Sequence, residues 1–152
     1  MPLIEWTPEL EIGINVIDGQ HRRIVDYIND LDEAQKADDR DEIGRVIEDL
    51  VDYTYSHFEF EEALMEEAGY DALSIHQSTH LAFRERVDEL KNRFVAGENV
   101  AGDLNELLQT WLIRHIMNDD QSYAGLVRQK MPRIEKQEGG NWISGAIRKF
   151  FS

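Results

Sequence analysis

The 152-residue chain contains no cysteine, which excludes a disulfide scaffold, thiolate-bound zinc, an iron–sulfur cluster and a cysteine nucleophile. It also lacks any run of the ~18–20 apolar residues needed to cross a bilayer. The amino terminus, MPLIEWTPELEIGINV, has no basic start followed by an apolar stretch, so it does not read as a secretory signal. Basic side chains are scarce: 16 Lys+Arg stand against 31 Asp+Glu, a net charge of −15. A field of that sign repels nucleic acid and anionic lipid, so neither nucleic acid nor a stable membrane association is expected. The missing thiols suit a reducing compartment, and the expected location is cytoplasmic.

Apolar residues (41%) and charged residues (31%) are both plentiful enough for a core and a solvated surface. The length fits one domain with a short tail. Pro2 and Pro8 bracket a first segment that reads as an extended arm over residues 1–17. Four stretches of helical period follow. The first starts near Asp18, a good N-cap, and carries Ile24, Ile28 and Leu31 at steps of four and three. After a polar break at Asp38–Asp41, the second runs to about Glu67 with Ile43, Val46, Ile47, Leu50, Val51 and Leu64 on one side, and Gly69 is its natural stop.

Asp71 is placed to cap the third stretch, whose inward positions read His76, His80, Phe83, Val87, Leu90 and Phe94. Gly97 closes it. The fourth spans roughly Gly102 to Lys130 with Leu104, Leu108, Trp111 and His115 in the same rhythm, and Pro132 lies just past its end. No stretch alternates with period two. Four helices with short joins predict an all-α, up-down-up-down antiparallel four-helix bundle over residues 18–131. The remainder, 132–152, reads as a tail with a possible short amphipathic helix. It is basic in an otherwise acidic chain, with Arg148 and Lys149 and no acid among its last thirteen residues. The tail reads as a short helix folding back on the acidic bundle or, alternatively, as a docking segment for a protein partner or a weak contact with a membrane surface.

The five histidines are His21, His57, His76, His80 and His115, at least one on each predicted helix and none elsewhere. His76 and His80 are i and i+4, one turn apart on the inward face. His57 and Glu61 repeat that spacing on the second helix. In an antiparallel bundle the early residues His21 and His76 lie level with the late residues His57 and His115. All five therefore fall in one layer near one end. Burying such groups without compensation costs on the order of 1–3 kcal/mol each, and more for a charge. Metal would satisfy them together.

Five imidazoles exceed what one zinc takes, and carboxylates can bridge two ions, so two metals are expected. Iron is favoured, since a mixed nitrogen and oxygen set tolerates both its ferrous and ferric states. A second carboxylate should follow His115. Ideal helical geometry prefers Asp119, at i+4, over Asp120, which is rotated by roughly 140°, but spacing alone leaves both open.

The pattern of a His on the first helix, HFEFE at 57–61, HQSTH at 76–80 and HIMNDD at 115–120 resembles the hemerythrin family, most closely its single-domain bacterial members. The match fills seven positions in order across about 100 residues. The resemblance implies that His76, His80 and His115 hold one iron and His21 and His57 the other. It implies that Glu61 and Asp120, not Asp119, bridge both, together with an oxo or hydroxo group. A π-type widening of the fourth helix would bring Asp120 round.

Two six-coordinate irons held this way keep one open position, on the iron with only His21 and His57. The family's ligand there is dioxygen, bound end-on as hydroperoxide and released by the reverse steps. Ile24, Phe58, Trp111, Leu112 and Ile116 look like the walls of the gas pocket. Di-iron oxygenases on bundles usually have four Glu and two His. The present set has fewer anionic donors, which favours reversible binding over substrate oxidation. The expected function is therefore that of an oxygen carrier, store or delivery module, not an enzyme. The alternatives are a di-iron enzyme acting on nitric oxide or peroxide, or an oxygen or iron sensor.

Overall fold

The structure, a computed structural model, describes residues 4–136, with side chains described to residue 132. It is built of α1 (Asn15–Lys36), α2 (Arg40–Ala68), α3 (Leu73–Val95), α4 (Ala101–Arg114) and α5 (Gln121–Lys136), with a π-helical turn, His115–Asp120, joining α4 to α5. These last three pieces form one continuous fourth rod. Among the described residues there is no strand, and no helix is long and apolar enough to cross a membrane.

Each rod runs opposite to its neighbours. Tyr27 of α1 meets Tyr53 of α2, ring centroids 5.6 Å apart, and nearer the start of α1 Gln20 meets the later residue His57. The Tyr55 hydroxyl donates to Asp88 at 2.7 Å while the later Glu62 reaches back to the earlier His80. Phe83 stacks on Trp111 and the earlier His80 meets the later His115. The fold is thus the antiparallel four-helix bundle that the periodicity predicts. Ile28, Leu31, Ile47, Leu50, Phe83, Val87, Leu104 and Leu108 are buried in its core, while Leu90 and Phe94 pack against it only partly buried.

Local chemistry sets the ends. The Asp39 side chain accepts the Glu42 amide at 3.2 Å and caps α2. Gly69 closes α2 in the left-handed region at φ +73°, where a side chain would be strained.

Other ends differ from the sequence expectation. Helix α1 begins at Asn15, capped by Ile14, so Asp18 is not its N-cap. Asp18 instead sits inside the first turn, where its carboxylate accepts the Ile12 and Gly13 amides at 2.8 and 3.1 Å. Asp71 does not cap α3: the cap position is Ala72, without a side-chain hydrogen bond. The first segment is not simply extended. Residues Pro8–Leu10 make a 3₁₀ turn, and Leu10, Ile12 and Ile14 are buried in the core. Ile4 is tied to Asn29 by two hydrogen bonds of 2.9 Å, and Arg128 donates to the Ile12 carbonyl.

Pro132 does not lie beyond the last helix but inside it, since α5 continues to Lys136. There its missing N–H forfeits one hydrogen bond, only a turn from the helix end. The expected amphipathic helix and docking role of the tail fall mainly on 137–152, outside the described residues.

Candidate metal centre

The helical spacings place every predicted ligand in one buried layer. His21, Glu61 and Asp120 are wholly inaccessible, and His57, His76, His80 and His115 are nearly so. Glu61 lies at the centre of this layer, and its two oxygens face different imidazoles. Oε1 is 2.8 Å from His76 Nε2, 3.0 Å from His80 Nε2 and 3.5 Å from His115 Nε2. Oε2 is 3.4 Å from His57 Nε2 and 3.8 Å from His21 Nε2.

Asp120 divides the rings the same way. Its Oδ1 lies 2.9 Å from His115 Nε2 and 3.3 Å from His76 Nε2, while Oδ2 lies 3.0 Å from His21 Nε2. The π-helical turn makes this possible. In an ideal helix the fifth residue after His115 would be rotated away, and the wider turn brings it back to the same face. Asp119 stays at the rim, its side chain 42% exposed, and contacts the outer nitrogen of His115.

The donor set fits cations. His57, His80 and His115 each donate their Nδ1–H outward, to Gln20 Oε1 at 2.5 Å, Glu62 at 3.1 Å and Asp119 at 3.0 Å. With the outer nitrogens so engaged, the Nε2 atoms of these rings are left facing the carboxylates. His80 Nε2 and His115 Nε2 are only 3.0 Å apart, an approach that a positive charge between them stabilises. Both ring nitrogens of His21, Nε2 of His57 and both oxygens of Asp120 are buried without a hydrogen-bond partner. Two groups of potential ligands, Glu61/His76/His80/His115 and His21/His57/Glu61, have donor atoms within 4.8 Å of one another.

Electrostatics point the same way. Burial alone would raise the Glu61 carboxyl, but the facing His57, His115 and His76 hold it well below the usual carboxylate range. Asp120 is likewise lowered: burial and the Glu61 charge push it up, and His115 and His21 more than offset them. Both carboxylates are thus anionic. Burial pulls His76 down, yet Asp120 and Glu61 carry it to about 9. His57 goes the other way, lowered chiefly by burial.

The expected pocket residues Ile24, Phe58, Leu112 and Ile116 are buried, and Trp111 is partly so. Phe58 stacks on His80 at 3.9 Å and Trp111 on His115 at 4.2 Å. Sequence reasoning missed the outer contacts Gln20 and Glu62. It also missed Tyr123, fully buried, whose hydroxyl donates to Glu61 Oε2 at 2.9 Å. Gln20 and Glu62 each adjoin a ligand in sequence, but neighbours point elsewhere on a helix, so adjacency alone gives no signal.

A family model described as the hemerythrin HHE cation binding domain matches residues 12–127. The chain belongs to the hemerythrin family. It is 48% identical over 153 residues to a bacteriohemerythrin of Pseudomonas aeruginosa, covering 99% of each chain. It is 35% identical to a bacteriohemerythrin of Methylococcus capsulatus over 127 residues, 82% of this chain and 96% of that one. A crystal structure of wild-type hemerythrin superposes with a TM-score of 0.79 at 31% identity, covering 82% of this chain and 98% of the other. This hemerythrin-family chain thus carries a buried His/Glu cluster that fits a two-metal site.

Proposed function

We propose that the centre holds two iron ions and that the protein binds dioxygen reversibly, as a carrier, store or delivery module rather than an enzyme. One observation carries this reading: the oxygens of Glu61 divide His76, His80 and His115 from His57 and His21, and those of Asp120 divide His115 and His76 from His21 in the same sense, the arrangement two adjacent ions require of bridging carboxylates. His76, His80 and His115 would hold one iron, His21 and His57 the other, with an oxo or hydroxo bridge between them. When bound, the pair supplies two electrons to dioxygen and recovers them on release.

The chain's own part is to shape and dry the pocket. The three-and-two division of imidazoles leaves the His21/His57 side one protein ligand short, and that is where the gas would enter. Phe58 and Trp111 cover the rings of His80 and His115, while the buried Ile24, Leu112 and Ile116 add apolar packing. Apolar walls deny water and protons to the bound gas and so slow its loss as a reduced species. Five neutral donors against two anionic ones stabilise high-valent iron less than a carboxylate-rich set would, which suits reversible binding. A cytoplasmic setting suits the thiol-free sequence.

Cycling the ferrous protein between oxygenated and deoxygenated solution tests the reading. An absorption band that appears with the gas and vanishes on its removal, over many cycles, is expected. Rapid one-way bleaching to the ferric form, with a reaction product released, would instead mark an enzyme.

A further inference from the structure

The five rings are not backed alike. Behind the group formed by His76, His80 and His115 stand two carboxylates, Glu62 on His80 Nδ1 at 3.1 Å and Asp119 on His115 Nδ1 at 3.0 Å. Behind the His21/His57 group stands one neutral amide, Gln20, on His57 Nδ1, and His21 Nδ1 has no hydrogen-bond partner. A carboxylate that accepts the outer N–H fixes the ring's orientation and makes its inner nitrogen a stronger donor, and its charge also attracts a cation directly. The Glu62 and Asp119 side chains are 22% and 42% exposed, so both stand at the rim of the centre, between the rings and solvent.

We propose that Glu62 and Asp119 are positioning residues that make the three-histidine half the tighter cation site, so that the two metals load in order: the His76/His80/His115 half first and the His21/His57 half second. This rests on the two-metal reading above. Outer partners of metal-bound imidazoles are worth roughly 10- to 100-fold in metal affinity. Two carboxylates on one side and none on the other therefore separate the halves by at least tenfold.

The test is a cobalt(II) titration of the metal-free full-length chain, followed by paramagnetic NMR and visible absorption. One equivalent is expected to shift the resonances of three imidazoles, and two equivalents those of all five. Glu62→Gln and Asp119→Asn, both near-isosteric and partly exposed, are each expected to weaken the tighter step 10- to 100-fold and leave the weaker step within twofold. Two shifted imidazoles at one equivalent, or five at half intensity, would overturn the order on the unmutated chain itself. Equal weakening of both steps, or of neither, would overturn the role of the carboxylates. If the unmutated chain bound no cobalt, the two-metal reading itself would fail, a result distinct from any of these.

Discussion

Glu61 shows how much can rest on one side chain. It is held anionic in complete burial because imidazoles surround both of its oxygens, and Tyr123 fixes Oε2 from the far side. Glu61→Gln preserves the shape but removes the charge and replaces one acceptor oxygen with a donor N–H. Metal content is expected to fall from two ions per chain to one or none, with helix content by circular dichroism unchanged. At His76 the metal-free protein holds its proton up to about 9, above the ~6.5 of an unperturbed imidazole. The stabilisation from the protonated ring is therefore complete below ~6.5 and lost as pH rises through about 9. Metal needs the ring unprotonated. Loading at pH 7.5 should then release protons measurable in a pH-stat, and apparent affinity should rise with pH up to about 9. Loading without proton release would contradict the ion pairing seen around this ring.

Among the elements, the π-helical turn matters most for the site, because it decides which of two adjacent aspartates enters it. Asp120→Ala is expected to lower metal content, whereas Asp119→Ala should keep two ions per chain and weaken only the one held by His76, His80 and His115. Gly69 makes a separate point about the bundle: no atom lies within 4 Å of an added Cβ, so Gly69→Ala meets backbone strain alone. It should cost about 1 kcal/mol, a fall of ~2–4 °C in Tm, without loss of metal.

The helices and their facing rings were legible in advance, because spacings of three and four on inward stripes are read directly from residue order, as at His76/His80 and His57/Glu61. Helix ends were less so. Asp18 has a capping side chain but serves the turn before the helix, and Pro132 is tolerated within α5. The choice of Asp120 was not legible from ideal geometry, since the widened turn departs from the regular helical rotation that such geometry assumes. Only the family resemblance anticipated it.

At the scale of the whole molecule, the core extends well beyond the site. Leu31, Ile43, Leu50, Val87 and Leu104 are buried along the rods away from the ligand layer, and burial of this apolar surface favours the folded bundle whether or not metal is bound. Removing metal with a chelator should therefore leave helix content intact. It should still lower stability, because ions that bind only the folded chain contribute about 2.7 kcal/mol at a hundredfold excess over Kd. For a chain of this size that is a fall of ~5–11 °C in Tm, readable by calorimetry. Loss of all helix on chelation would mean that the core does not hold alone.

Iron content speaks to the centre most directly. When the full-length chain is produced with ample iron and purified without chelator, elemental analysis should return two irons per chain, and His57→Ala should lower that number. A value near zero, or a single iron unaffected by His57→Ala, would contradict a centre in which Glu61 and Asp120 join two ions.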